Sequence, residues 1–219
     1  MRPPGQMPLF PLPDHVLLPG VPAPYRVFEP RYRALVRDLL EIAPEQRWLA
    51  MPRLAMGWEA DYADSPAFLP MASASLVTRI EPAADGQFHI LVLGQVRVRL
   101  TEIPSSRPYR LASAEVVDDL TAAGEDATAS MRRLLGHLTA LGDRIDLPPE
   151  ECARLLAAED GHAQLVDRLA SLLLAKADDR QDVLESRYLP QRIAIIERTL
   201  ARFSEKQQSI GDRWKPSAN

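Results

Sequence analysis

Sixteen of the twenty prolines in the chain lie before residue 118. Proline has no amide hydrogen and its ring clashes with the preceding helical turn, so a segment this rich in it cannot be mainly helical. The first half must therefore be built from strands and turns. The second half holds only Pro148, Pro149, Pro190 and Pro216 and is free to form long helices. Charge divides at the same place. Residues 1–117 carry 12 Arg, no Lys and 12 Asp/Glu, and the remainder carries 11 Arg, 3 Lys and 18 Asp/Glu, so the halves have net charges of 0 and −4. The acidic run DDLTAAGED at 118–126 contains a glycine and marks the boundary. The expected division is a β subdomain over residues 1–119 and a helical subdomain over 120–219 with a polar C-terminal tail.

Residues 87–102 read QFHILVLGQVRVRLTE, and from Gln95 to Leu100 polar and apolar residues alternate. That is the period of a strand with one buried face, and it points Arg97 and Arg99 away from the core. Asp85-Gly86, a pair favoured in tight hairpins, stands between the apolar runs 75–80 and 88–93. A further strand is expected over 111–117, and several short strands with turns between them suggest a small barrel or sandwich. One helix interrupts the pattern. Pro30 suits a first helical position, and Tyr32, Leu35, Val36, Leu39 and Leu40 form its apolar stripe, with Glu29 at the positive end of the dipole and Arg31, Arg33 and Arg37 in water. In the second half, three stripes predict helices: Met131, Leu134, Leu135, Leu138 and Leu141; Leu165, Val166, Leu169, Leu172 and Leu173; and Ile193, Ile196, Leu200 and Phe203. Asp178 or Asp179 can cap a shorter helix, Pro190 can open the last one, and Trp214 in the polar tail can dock. The expected class is α+β, a β pseudo-barrel followed by an antiparallel helical bundle.

Composition narrows the chemistry. With 46% hydrophobic and 26% charged residues the chain is globular, and a net charge of −4 disfavours a cationic nucleic-acid or membrane-surface binder. The single cysteine, Cys152, excludes an internal disulfide and fits a cytoplasmic, reducing compartment. No apolar stretch approaches the length of a membrane span, and the N-terminal prolines break a signal-peptide helix. None of the lysines, Lys176, Lys206 and Lys215, follows a glycine, so no phosphate loop is present, and no two glycines have dinucleotide-fold spacing. His15, His89, His137 and His162 are isolated, which leaves no metal-ligand motif. Glu150 and Glu151 would raise the Cys152 thiol, and Ser171 and Lys176, five apart on a helix, do not share a face. Asp118-Asp119, Glu150-Glu151 and Asp178-Asp179 read as solvated caps. No catalytic residue, metal or cofactor is expected, and so no enzyme.

Residues 7–36, MPLFPLPDHVLLPGVPAPYRVFEPRYRALV, resemble the opening of the Lon protease N-terminal, or substrate-binding, domain family. The resemblance rests on the PLFPLP start, the LLPG turn and the corner Phe28-Glu29-Pro30-Arg31-Tyr32. It continues through Gly57-Trp58-Glu59, Asp85-Gly86, the strand at 94–99 and Pro108-Tyr109, and more loosely through the helical half. It implies a PUA-like pseudo-barrel followed by a helical bundle. It also implies a module without the ATPase and serine-lysine peptidase parts of Lon, since neither occurs in these 219 residues. The function expected is non-catalytic binding of unfolded or apolar polypeptide segments, with a protease or chaperone as a further partner and no membrane. Trp58, Tyr62, Phe68, Leu69 and Met71 are the candidate peptide contacts, because they cluster in a loop-like stretch with no obvious core to enter. The alternative is RNA binding through Arg97, Arg99, Arg107 and Arg110, which the neutral first half and acidic second half disfavour.

Overall fold

A computed structural model describes residues 2–62, 65–120, 127–140 and 162–213. Among them six strands form one antiparallel sheet: β1 (Gln6–Pro8), β2 (Pro22–Val27), β3 (Trp48–Met51), β4 (Met71–Pro82), β5 (Phe88–Ile103) and β6 (Leu111–Val116). Their order is β1-β6-β5-β4-β3, with β2 also on β5. Beyond β1 the chain runs parallel to β3 through the bridges Leu9–Ala50 and Leu12–Arg53, and the Phe10 N–H donates to the Ala50 carbonyl at 2.8 Å. The sheet thus curls back onto its first strand, which covers edges that would otherwise be open.

β5 is long enough to serve two neighbours on one side. Its first half pairs with β2 (Tyr25 opposite Ile90) and its second half with β6 (Leu100 opposite Ala114), while β4 runs along the other side. Gly94 lies between the two halves. A Cβ there would sit 2.3 Å from the Leu18 carbonyl oxygen, so only glycine lets the chain at 18–21 close onto the strand. The β4–β5 connection is the expected Asp-Gly turn, with Asp85 at φ 58° and Gly86 at φ 67°.

Helix α1 (Pro30–Leu40) begins on Pro30 and buries Tyr32, Leu35, Val36 and Leu39 against Phe10, Val27, Val77 and Ile90. Leu40, expected on that stripe, is partly exposed because it lies one residue past the buried arc. A second apolar cluster, built on Met7, Leu9, Trp48, Val98 and Leu100, fills the rest of the sheet interior. The helices that follow are α2 (Ala127–Ala140), α3 (His162–Leu173), α4 (Ala177–Glu185) and α5 (Leu189–Arg213). α5 packs on the other three. Their shared cluster includes Leu134, Leu165, Val166, Leu169, Ile193 and Ile196, and it also takes in Val16 and Leu18 from the sheet half.

Two expected details differ. α4 opens at Ala177 with Lys176 at its cap, and Asp178, in the first turn, pairs with Arg53 at 2.6 Å instead of capping. Leu172, expected on the α3 stripe, is 63% exposed. The boundary run 121–126, Leu141, Glu150, Glu151, Cys152 and Trp214 lie outside the described residues, as does the side chain of Phe203. Among the described residues no helix is long and apolar enough to cross a membrane.

Candidate functional site

Alternation along β5 places Arg99 in water, where it is exposed. Arg97 needs correction. It does leave the sheet interior, but α3 and α4 lie over that outer face, and Arg97 is 5% exposed. Its guanidinium donates to both carboxylate oxygens of Asp167 on α3, at 2.8 and 2.7 Å. It also donates to the carbonyls of Leu184 and Val183 at 3.0 and 3.3 Å. Those carbonyls belong to the last turn of α4, where helical donors run out and the dipole is negative. Arg192 from α5 grips Asp119 with both terminal nitrogens and lies 3.7 Å from Asp167. Burial pushes the Asp167 carboxyl up from its ordinary value, while Arg97 and Arg192 pull the other way. Two arginines and two carboxylates thus form a neutral, largely buried group that fastens α3, α4 and α5 to the sheet. A period-two pattern reports which face of a sheet a residue leaves by, not what covers that face.

The same packing leaves a groove of about 730 Å³ between the outer face of the sheet and α3. Val21, Leu91, Leu93 and Leu172 supply its apolar wall, with Thr78, Ser171 and Arg168 beside them. In β5 the run Ile90-Leu91-Val92-Leu93 is apolar at every position. Ile90 and Val92 enter the core, and Leu91 and Leu93 face outward, half-buried. A run apolar on both parities signals a strand with two covered or partly covered faces. Arg168 donates to the Gly20 carbonyl at 3.2 Å. Arg180 donates to the carbonyls of Leu174 and Ser171 at 2.7 and 3.1 Å, closing the C-terminal end of α3.

Among the described residues β2 pairs only with β5, and Pro22 at its start lines the groove. Gly94 N–H donates to the Val21 carbonyl, so Val21, Ala23, Tyr25 and Val27 direct their main-chain groups at β5 and the alternate residues direct theirs outward. Two of those alternates are Pro22 and Pro24, which carry no N–H. The edge is poor in donors.

The five contacts expected from the sequence are only partly brought together. Residues 53–55 and 67–69 pair antiparallel, with a Leu54–Phe68 bridge, Ala55 N–H to the Ala67 carbonyl and Leu69 N–H to the Arg53 carbonyl, both at 2.8 Å. Trp58 and Tyr62 meet edge to face at 5.4 Å, and the Tyr62 hydroxyl donates to Glu29 at 2.6 Å. Arg31 lies over the rings of Tyr32 and Tyr62 at 4.8 and 5.2 Å, so this pair is anchored to the corner that opens α1. Phe68 sits apart, under Arg110 at 4.9 Å. Leu69 is half-buried. Met71 is buried where β4 passes beneath α4, its carbonyl accepting from Gln181, so it offers no surface to a ligand. The large apolar side chains that do face water nearby are Met56 and Phe28, which the sequence reading did not single out. Of the arginines offered for RNA, Arg97 is buried, Arg107 pairs with Asp38 at 2.9 Å, and Arg110 pairs with Glu102 at 2.7 and 2.6 Å. Among the described residues no group of His, Cys, Asp and Glu is placed to hold a metal ion.

An antiparallel sheet followed by packed helices, with an apolar groove between the sheet and α3, defines an α+β fold. Residues 6–202 match the family model described as the ATP-dependent protease La (LON) substrate-binding domain, and the chain belongs to that family. It is 27% identical over 215 residues to the Lon protease of Methylocella silvestris, covering 95% of this chain and 26% of that protein. Lon protease 1 of Herpetosiphon aurantiacus is 25% identical over 202 residues, covering 91% of this chain and 24% of that protein. The chain thus spans about a quarter of the length of these relatives. The fold matches the N-terminal domain of the Mycobacterium avium complex Lon protease with a TM-score of 0.68 at 14% identity, over 90% of this chain and 98% of that one. It also matches a Lon N-terminal domain protein from Xanthomonas campestris with a TM-score of 0.61 at 23% identity, over 90% and 97%.

Proposed function

We propose that this protein is a non-catalytic module of a reducing cytoplasm that holds apolar or unfolded segments of other polypeptides, alone or in concert with a protease or chaperone. The observation that carries the reading is the open apolar groove between the sheet and α3, where Leu172 stands 63% exposed beside Leu91 and Leu93. A large apolar side chain held in water on a rigid helix next to an apolar cleft is the surface expected of a binding site. The family description, substrate-binding domain of an ATP-dependent protease, agrees with it. Trp58 and Tyr62, with the exposed Met56, form a second, lesser patch within the same proposal, and Phe68 stands apart from it.

The test is binding of a permanently unfolded polypeptide, reduced and carboxymethylated, followed by titration calorimetry. Leu172→Glu is expected to weaken binding about tenfold, the loss typical of removing one central contact, and Trp58→Ala less. Both variants should keep the wild-type circular dichroism. Wild-type protein that takes up no unfolded polypeptide would dismiss the reading.

A further inference from the structure

Resting on that reading for its consequence, we propose that Met56 is a reversible oxidation site: a peroxide converts its thioether to the sulfoxide, and the Trp58 patch then holds apolar segments less tightly. The first ground is a contrast in exposure. The chain has six methionines, and Met1 lies outside the described residues. Met7, Met51, Met71 and Met131 are each at most 5% exposed, whereas Met56 is exposed over its whole surface. Oxidation of a thioether follows access to the reagent, so Met56 meets it first.

The second ground is the setting. The turn opens from Ala55, whose N–H is held by the Ala67 carbonyl at 2.8 Å. Gly57 follows Met56 at φ 87°, with no atom within 4 Å of where its Cβ would stand. Beyond it Trp58 meets Tyr62, and Tyr62 is bonded to Glu29. The turn is thus fastened on both sides while the Met56 side chain stands clear of the body. An unbranched, polarisable side chain in that position adapts to irregular apolar partners.

The step needs only the peroxide. The sulfur lone pair attacks one peroxide oxygen, the O–O bond breaks, and the leaving hydroxide takes the proton of the transferred hydroxyl and departs as water. Sulfur loses two electrons and the peroxide gains them. The sulfoxide oxygen is a strong hydrogen-bond acceptor, and pressing it against an apolar chain strips its water without replacement. Because Met56 fills no part of the core, the fold is expected to persist.

The test treats the full chain with dilute hydrogen peroxide, removes the reagent, maps the peptides by mass spectrometry and titrates the protein against the reduced, carboxymethylated polypeptide. Met56 is expected to oxidise at least about tenfold faster than Met7, Met51, Met71 and Met131, with circular dichroism unchanged. Binding is expected to weaken about threefold, and to recover with methionine sulfoxide reductases A and B but not with dithiothreitol alone. In Met56→Leu, affinity should be the same before and after peroxide, whatever its starting value. A buried methionine that oxidises as fast as Met56 overturns the site. Full conversion of Met56 with unchanged binding, or an equal loss in Met56→Leu, overturns the consequence and leaves the protein-binding proposal intact. If the untreated protein takes up no unfolded polypeptide, the proposed function falls and the consequence with it, while the peptide map still decides the site.

Discussion

Asp167 is almost completely buried between arginines from two other elements, and its energetics follow from what its loss would leave behind. In Asp167→Asn, Arg97 keeps its charge under α3 and α4 with one partner gone, so urea unfolding should show a loss of about 3–5 kcal/mol. Replacing the pair together, as Arg97→Met with Asp167→Leu, should recover most of that loss, because no charge then remains uncompensated. Losses that simply add would contradict this account. His15 adds a pH dependence near neutrality. Its Nε2 lies 2.6 Å from the Tyr25 hydroxyl, and burial, with Arg180 nearby, holds the imidazole below its ordinary 6.5. The unfolded chain takes up this proton near 6.5 and the folded chain only at lower pH. Its contribution to stability is therefore fully present above 6.5 and is lost as pH falls through 6.5 toward the folded value. The fall in Tm between about pH 7 and 5.5 should be smaller in His15→Gln than in wild type. Identical slopes would remove His15 from the account. Neither role was legible in the sequence, where His15 stands among prolines and Asp167 inside an apolar helix, because the partners lie 10 to 70 residues away.

Elements differ in how far local chemistry decides them. α1 was readable because Pro30 and its stripe agree, and the β4–β5 hairpin because Asp85 and Gly86 supply left-handed backbone where the turn demands it. The pairing of 53–55 with 67–69 was not, since it depends on Leu54 meeting Phe68 across a stretch of sequence with no alternation. β2 shows an element shaped by what it must avoid. With Pro22 and Pro24 both replaced by threonine, the free edge regains two donors, and light scattering should report concentration-dependent association that the wild type lacks. A variant that stays monomeric over the same range would mean the edge is protected by something other than its prolines.

At the scale of the molecule, the change of grammar near residue 119 is proposed to be a division of topology and not of folding unit. Val16 and Leu18 enter the helical cluster, and Arg97 closes the last turn of α4, so sheet and helices share their interiors. Near- and far-ultraviolet circular dichroism should therefore melt together in the wild type, and Arg97→Ala should separate them. Coincident curves in both proteins would show that Arg97 is not what couples the halves. Proline spacing, apolar periods and turn pairs determined the order and kind of the elements, because those properties act between residues a few positions apart. The burial of Arg97, the exposure of Leu172 and the groove between the sheet and α3 were decided by the tertiary structure. They depend on which face of one element comes to lie over another, and no local period carries that information.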